Sequence, residues 1–186
     1  MFGIDEKVPE FKVVGVKPGF ENPQENDESA FEVLTEKSFP SKWKILFFYP
    51  KDFTFVCPTE IAEFAQLSND FAKRGAIVLG GSTDNEFVKL AWRREHKSLR
   101  KLRIWQFADN GGLLASSLGI RSSEGVAHRY TYIIDPENVI QHVYATSLSV
   151  GRAPHDTLRV LDALQTNNLC ACSRPVGGPV LTPADP

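Results

Sequence analysis

The sequence predicts an α/β fold whose central sheet contains both parallel and antiparallel strands. Residues 44–49 and 76–80 are short segments that are apolar apart from Lys44, which is typical of strands buried on both faces. A helical pattern lies between them, so the three segments form a βαβ unit with parallel strands and a right-handed crossover. Residues 129–134 and 139–145 are strand-like and are separated by Asp-Pro-Glu-Asn, a turn of hairpin length. This hairpin adds an antiparallel pair to the sheet.

Three helices are predicted from apolar residues at helical spacing. The first begins near Cys57 and ends at Gly75, because basic residues followed by a glycine are typical of a helix C-terminus. The second covers residues 85–97, with Asp84 as its candidate N-cap. The third begins at Pro154, since proline is favoured in the first turn of a helix, and it ends before a pair of asparagines.

The chain is expected to form one domain over residues 1–166, followed by a C-terminal arm over residues 167–186. The 18 residues from Leu169 onward contain four prolines and two glycines and show no periodic pattern, which favours a mobile arm. At the other end, the polar residues 21–29 are interrupted by Pro23 and are expected to form a loop within an N-terminal β extension.

Composition excludes several classes of partner. The chain has 186 residues, of which 42% are hydrophobic, so a sizeable core can form. Its formal net charge of -2 provides no basic field that would capture nucleic acid or an anionic membrane surface. The longest apolar segments are far shorter than the roughly 18 residues of a membrane span. The first residues resemble no secretory signal, so a cytosolic location is expected.

Cys57 is the strongest candidate for chemistry among the three cysteines. It lies where a loop leads from a central strand into a helix, and a helix N-terminus favours the nucleophilic thiolate over the thiol. Thr54 can direct its hydroxyl to the same place, and Pro50 adds a rigid apolar wall without an N–H donor. These residues would form a small pocket suited to a compact polar oxidant. The alternative is that Cys57 is one more buried cysteine of the core.

The spacing Pro-x-x-x-Thr-x-x-Cys, within Tyr-Pro-Lys-Asp-Phe-Thr-Phe-Val-Cys-Pro-Thr-Glu, resembles that of the peroxiredoxins. The chain is most similar to the typical two-cysteine group of alkyl hydroperoxide reductase catalytic subunits, and the resemblance covers almost its whole length. It implies a thioredoxin-like α/β fold with an N-terminal β extension and a C-terminal arm. It also implies a thiol-dependent peroxidase that acts on hydrogen peroxide and organic hydroperoxides without a metal or organic cofactor.

The resemblance assigns roles to individual residues. Cys57 corresponds to the peroxidatic cysteine, and Thr54 and Pro50 correspond to the residues that shape its pocket. Arg129 corresponds to the arginine that stabilises the thiolate and the charge developing on the peroxide oxygens. A surface ion pair is the alternative role for Arg129.

Two further residues resemble supporting members of such a site. Glu60 matches the polar support of the arginine network, although an acid favoured by the helix dipole is an equally good interpretation. Arg152 resembles a further arginine near the site in the alkyl hydroperoxide reductase branch, and a solvated loop charge is its alternative.

Cys170 is the candidate resolving cysteine, because a sulfenic acid on Cys57 must be captured by a second thiol. The resemblance implies that this thiol belongs to the neighbouring subunit of a homodimer, which would assemble into a ring. A dithiol reductant protein, either thioredoxin-like or a dedicated alkyl hydroperoxide reductase partner, would reduce the disulfide. Cys172 matches a three-cysteine branch and is either an alternative resolver, a relay to the reductant or a spare thiol.

Other functions have weaker support. Cys170-x-Cys172 and the four histidines lack the spacing of structural zinc ligands. The pairs Gly80-Gly81 and Gly111-Gly112 lack the spacings of nucleotide-binding loops. A thioredoxin-type disulfide oxidoreductase would require a cysteine at the position of Glu60. A redox-gated chaperone or peroxide sensor could use the same thiols and would differ in lacking fast turnover.

Overall fold

The computed structural model describes residues 2–22 and 27–182, and within them the chain forms one mixed sheet with helices on both sides. The seven strands of the sheet, in chain order, are β1 (Lys12–Val16), β2 (Phe31–Thr35), β3 (Trp43–Phe48), β4 (Ala76–Ser82), β5 (Trp105–Ala108), β6 (Arg129–Ile134) and β7 (Ile140–Thr146). Their order across the sheet is β2-β1-β5-β4-β3-β6-β7.

The middle of the sheet confirms the predicted βαβ unit. Strands β3 and β4 pair in parallel, as do β4 and β5, and all other pairings are antiparallel. The predicted hairpin forms as β6 and β7, and the N-terminal extension forms as β1 and β2, which join the sheet through β5. Strand β5 was not predicted, because four buried residues are too short a segment to show a period.

Five helices complete the described part of the chain: α1 (Cys57–Gln66), α2 (Ser68–Lys73), α3 (Glu86–Glu95), α4 (Leu113–Ser117) and α5 (Pro154–Leu164). The prediction of a single helix after Cys57 was wrong, since the backbone breaks at Leu67, with ψ near 2°. The apolar residues Ile61, Phe64, Leu67 and Phe71 keep helical spacing across the break, so the pattern could not reveal it.

The start of α3 also differs from the prediction. Asn85, and not Asp84, is the N-cap, because its side-chain oxygen accepts a hydrogen bond from the Val88 amide at 2.9 Å. The Asp84 carboxylate instead accepts a hydrogen bond from the amide of Asp52. Residues 23–26 of the predicted loop lie outside the described residues, and Asp27–Ala30 form a short 3-10 helix. None of the helices in residues 2–22 and 27–182 has the length and apolar character needed to cross a membrane.

The sheet carries a core on each face, and two glycines of β4 allow both cores to pack closely. Helices α1, α2, α3 and α5 cover one face, where the rings of Phe47 and Phe64 stack with centroids 4.2 Å apart. The other core contains Phe107. A Cβ atom at Gly80 would overlap the ring of Phe47, and one at Gly81 would overlap the ring of Phe107. The glycine pair therefore makes room for two aromatic rings.

Replacing Gly80 by alanine is expected to lower the free energy of unfolding by roughly 1–3 kcal/mol, because the added methyl group displaces the Phe47 ring from a close-packed core. Urea unfolding curves of the wild type and of Gly80→Ala measure this difference. Gly3→Ala is the matched control, since its Cβ atom would meet its nearest neighbour at 3.7 Å. Equal stability of wild type and Gly80→Ala would show that the Phe47 ring can move freely.

Candidate active site

Cys57 is the first residue of α1, at the end of the loop that follows β3, and its side chain is only 1% exposed. Pro58 occupies the first turn of the helix, where its missing N–H is not needed. The free amides and the positive end of the helix dipole therefore lie beside the sulfur. The structure confirms the predicted position of this thiol at a helix N-terminus.

An open pocket of about 310 Å³ leads to Cys57. Thr54 and Pro50 are both half-buried in its wall. The Thr54 hydroxyl donates a hydrogen bond to the Lys51 carbonyl at 3.0 Å, which fixes its orientation and leaves its oxygen lone pairs for a ligand. The complete lining consists of Pro50, Lys51, Thr54, Phe55, Val56, Cys57, Glu124, Val126, Arg129 and Leu148.

Arg129 provides a buried positive charge at the sulfur. It is the first residue of β6 and only 3% exposed, and its Nη1 atom lies 3.5 Å from the Cys57 Sγ atom, within hydrogen-bonding distance. Its Nε atom donates to the Leu148 carbonyl at 2.8 Å, and Nη1 also donates to Glu60 at 2.6 Å. The guanidinium is thus held on two sides, so a surface ion pair does not describe this arginine.

Glu60 lies on α1 one turn after Cys57, and its carboxylate binds both Arg129 and Arg152. Its buried carboxylate accepts hydrogen bonds from the Arg152 side chain at 2.7 and 3.1 Å and from the Arg152 amide at 2.8 Å. Arg152 in turn donates to the Tyr130 carbonyl and the Thr131 hydroxyl of β6. Two guanidinium groups and one carboxylate carry a net charge of one positive unit, which complements a single thiolate at Cys57.

The other two cysteines lie elsewhere in the subunit, and all three thiols are free. Cys170 is half-buried after α5, with its Sγ atom 3.4 Å from the Thr166 hydroxyl. It lines a separate pocket on α5 that shares no lining residue with the Cys57 pocket. Cys172 is exposed. The structure therefore brings together Cys57, its pocket and the arginines, but it does not bring either tail cysteine into that pocket.

The segment after Cys172 packs against α5 through one carboxylate. Asp162 accepts hydrogen bonds from Arg174 at 2.7 Å and from the Gly177 amide at 2.8 Å, and Arg74 donates to its second oxygen. Partial burial acts to raise the pKa of Asp162, but these donors outweigh it and lower the pKa. Nothing in the sequence pattern predicted this attachment, because the segment after Cys172 shows no period that would place it on α5. The mobility of the arm stays a prediction.

Comparison with known proteins identifies the family of this chain. A sequence profile of the AhpC/TSA family matches residues 4–143. The alkyl hydroperoxide reductase C of Mycolicibacterium smegmatis is 44% identical over 180 residues, covering 96% of this chain and 92% of the relative. The chain belongs to the AhpC/TSA family. Within that family it is a peroxiredoxin of the alkyl hydroperoxide reductase C type, and therefore a thiol-dependent peroxidase.

Solved structures of AhpC/TSA relatives confirm the predicted thioredoxin-like fold. Mycobacterium tuberculosis AhpC superposes with a TM-score of 0.85 and 41% identity, covering 92% of this chain and 97% of that one. The reduced 2-Cys peroxiredoxin of Plasmodium vivax superposes with a TM-score of 0.86 and 25% identity, covering 97% and 93% of the two chains. In residues 2–22 and 27–182, no group of three or more histidine, cysteine or acidic side chains is arranged to hold a metal ion.

Glu60→Ala is expected to lower the free energy of unfolding by about 3–5 kcal/mol, because it leaves two buried guanidinium groups without their shared carboxylate. Thermal and urea unfolding of the reduced protein measure this loss. Glu63→Ala on the same helix is the control, because the Glu63 side chain is 39% exposed and its stability change is expected to be small. Equal losses in the two variants would contradict the central role of Glu60.

Proposed function

We propose that Cys57 is the peroxidatic cysteine and that it reduces hydrogen peroxide and small organic hydroperoxides. The thiolate sulfur attacks one peroxide oxygen, an S–O bond forms as the O–O bond breaks, and the departing oxygen takes a proton. The products are a sulfenic acid on Cys57 and water or an alcohol. The observation that carries this role is the Arg129 Nη1 atom 3.5 Å from Cys57 Sγ at the base of an open pocket.

Three neighbours of Cys57 have supporting roles in this proposal. Arg129 is already oriented by Glu60 and the Leu148 carbonyl, so it stabilises the charge on sulfur and on the departing oxygen without reorganising. The Thr54 hydroxyl, held by its own hydrogen bond, offers lone pairs to the hydroperoxide proton. Pro50 limits the room around the sulfur. The name alkyl hydroperoxide reductase, carried by the relative that is 44% identical, supports organic hydroperoxides as substrates.

Cys170 then resolves the sulfenic acid in this proposal. Its thiol attacks the Cys57 sulfur, a disulfide forms, and water leaves. A reductant protein with two thiols returns both cysteines to the reduced form and becomes a disulfide itself. Because Cys170 lines a separate pocket from Cys57, we infer that the thiol comes from the arm of a second subunit. Cys172 is exposed two residues later and is an alternative resolver.

The remaining proposals concern assembly and location. We propose a domain over residues 1–166 and an arm over residues 167–186, of which residues 183–186 lie outside the described residues. Membership of the family supports three further proposals: a homodimer that assembles into a ring, an external dithiol reductant and a cytosolic location. The proposed cycle requires no metal or organic cofactor, because the sulfur carries the redox change.

Cys57→Ser is expected to abolish peroxide consumption, because a serine hydroxyl stays neutral near pH 7 and does not attack the peroxide oxygen as a thiolate does. Consumption of hydrogen peroxide and of cumene hydroperoxide, with dithiothreitol as the recycling dithiol, measures the effect. Cys172→Ser is the control and is expected to keep most of the activity. Wild-type turnover by Cys57→Ser would refute the proposal, and wild-type protein that forms the sulfenic acid without turnover would indicate a peroxide sensor.

Cys170→Ser is expected to remove most of the covalent dimer that forms when the reduced protein is treated with one equivalent of peroxide. Non-reducing gels and peptide mass spectrometry identify the linked cysteines. The double variant with Cys172→Ser tests whether Cys172 substitutes for Cys170. An internal link between Cys57 and Cys170 in a monomer would contradict the intersubunit arrangement and leave the peroxidatic role of Cys57 intact.

A further inference from the structure

A buried ionic network lies directly behind the catalytic loop. The Lys89 ammonium on α3 donates to Ser82 Oγ at 2.7 Å and lies 3.3 Å from both carboxylate oxygens of Asp52. The side chains of Lys89 and Asp52 are 0% and 1% exposed. The Lys89 ammonium also lies over the ring of Tyr49, 5.3 Å from its centroid. Two opposite charges are therefore enclosed in the interior, next to the strand that leads to Cys57.

Burial opposes both charges of this pair. It lowers the pKa of Lys89 and raises the pKa of Asp52, and in each case the partner's charge acts in the opposite direction. Apolar residues of similar volume often replace a buried ion pair without loss of stability. The ion pair between Lys89 and Asp52 is therefore expected to add little to the free energy of unfolding. Its role is better explained by the position in which it holds the backbone around Asp52.

The ion pair holds the loop between β3 and α1, because Asp52 is part of that loop. Asp52 lies midway between Pro50 and Thr54, the two residues that form the pocket wall. Its side chain is held by Lys89, and its backbone amide donates to the Asp84 carboxylate at 2.8 Å. Asp52 is thus attached through its main chain to Asp84, between β4 and α3, and through its side chain to Lys89 on α3 and to Ser82 at the end of β4.

The loop is strained at the next residue, so it needs such an attachment. Phe53 has a φ of 55°, in the left-handed region that bulky residues rarely adopt. Its ring stacks on Trp92 of α3 with centroids 5.7 Å apart. Strained backbone persists only where its surroundings hold it, and here α3 contributes both Lys89 and Trp92.

The strain also matters because Cys57 has to move. Its side chain is almost fully buried, and in the proposed cycle the Cys170 thiol has to reach it from the arm of a second subunit. A disulfide requires the two sulfurs to approach to about 2.05 Å. The segment that carries Cys57 therefore has to leave its folded position between sulfenic acid formation and disulfide formation.

We propose that Lys89 is a positioning residue that, through Asp52, holds the loop of Pro50 and Thr54 in its closed form around Cys57. This inference depends on the proposed peroxidatic role of Cys57. Lys89 touches neither the sulfur nor the pocket. It acts by setting the balance between the closed loop, which attacks peroxide, and the open loop, which forms the disulfide.

Lys89→Met should therefore change two rates in opposite directions. Loss of the ammonium removes the charged partner of the Asp52 carboxylate and leaves the neutral hydrogen bond from the Ser82 hydroxyl. Sulfenic acid formation is therefore expected to slow by roughly ten- to a hundred-fold, the range for a misplaced reacting geometry. Disulfide formation is expected to become faster, because the loop opens more readily. A general loss of folding would instead slow both steps, so the opposite signs distinguish positioning from simple stability.

Single-turnover reactions with hydrogen peroxide measure both rates, using a dimedone trap with mass spectrometry for the sulfenic acid and non-reducing gels for the disulfide. The double variant Lys89→Met/Asp52→Asn removes both charges together, so it is expected to fold, and it should show the same opposite changes. Lys44→Met is the matched control, because Lys44 is also a buried lysine but donates to Asn138 at the other end of β3. Both of its rates are expected to match the wild type.

Wild-type rates for both steps in the folded double variant would overturn the positioning role of Lys89. Parallel slowing of both steps, together with a matching loss of stability, would overturn it as well. The wild type itself distinguishes this failure from failure of the proposed function, because a dimedone adduct on its Cys57 reports the peroxidatic role independently of Lys89.

Discussion

The buried carboxylate of Glu60 is the constraint on which the catalytic site depends. It lies one turn after Cys57 on α1 and binds Arg129 from β6 and Arg152 from the loop before α5. These hydrogen bonds connect the helix that carries the thiol to the strand and the loop that carry the positive charges. Without the carboxylate, two guanidinium groups would be enclosed without compensation. The charge that suits a thiolate is therefore assembled by tertiary contacts around a single acid.

The catalytic segment is held at two points by different buried charges. Glu60 holds the first turn of α1, and Asp52 holds the preceding loop through its contact with Lys89. Peroxide attack needs reacting atoms in a defined geometry, which favours rigid attachment. In the proposed cycle, disulfide formation needs the same segment to leave, which favours attachments that can break without unfolding the core. A strained loop held by a few polar contacts satisfies both requirements.

Much of the fold could be predicted, because the central strands and the larger helices show a clear period. The break at Leu67 could not, since apolar spacing continues across it. The cap of α3 was assigned one residue too early. Asp84 and Asn85 are both good capping residues, but the Asp84 carboxylate is engaged by Asp52 and Ser82, so Asn85 caps the helix. The sequence placed Cys57, Thr54 and Pro50 correctly because they lie within eight residues of one another.

By itself, the sequence determined the position of a thiol at the start of a helix after a buried strand, since strand, loop and helix are read from local spacing. The resemblance to the peroxiredoxins also identified Arg129 and Glu60 as candidates. Only the tertiary structure decided that Arg129 meets Cys57 across 72 residues, that Glu60 binds two arginines, and that Lys89 lies beneath the catalytic loop. The spacing of apolar residues along the chain reflects local backbone preference. The pairing of buried charges instead depends on which strands and helices the order of the sheet brings together.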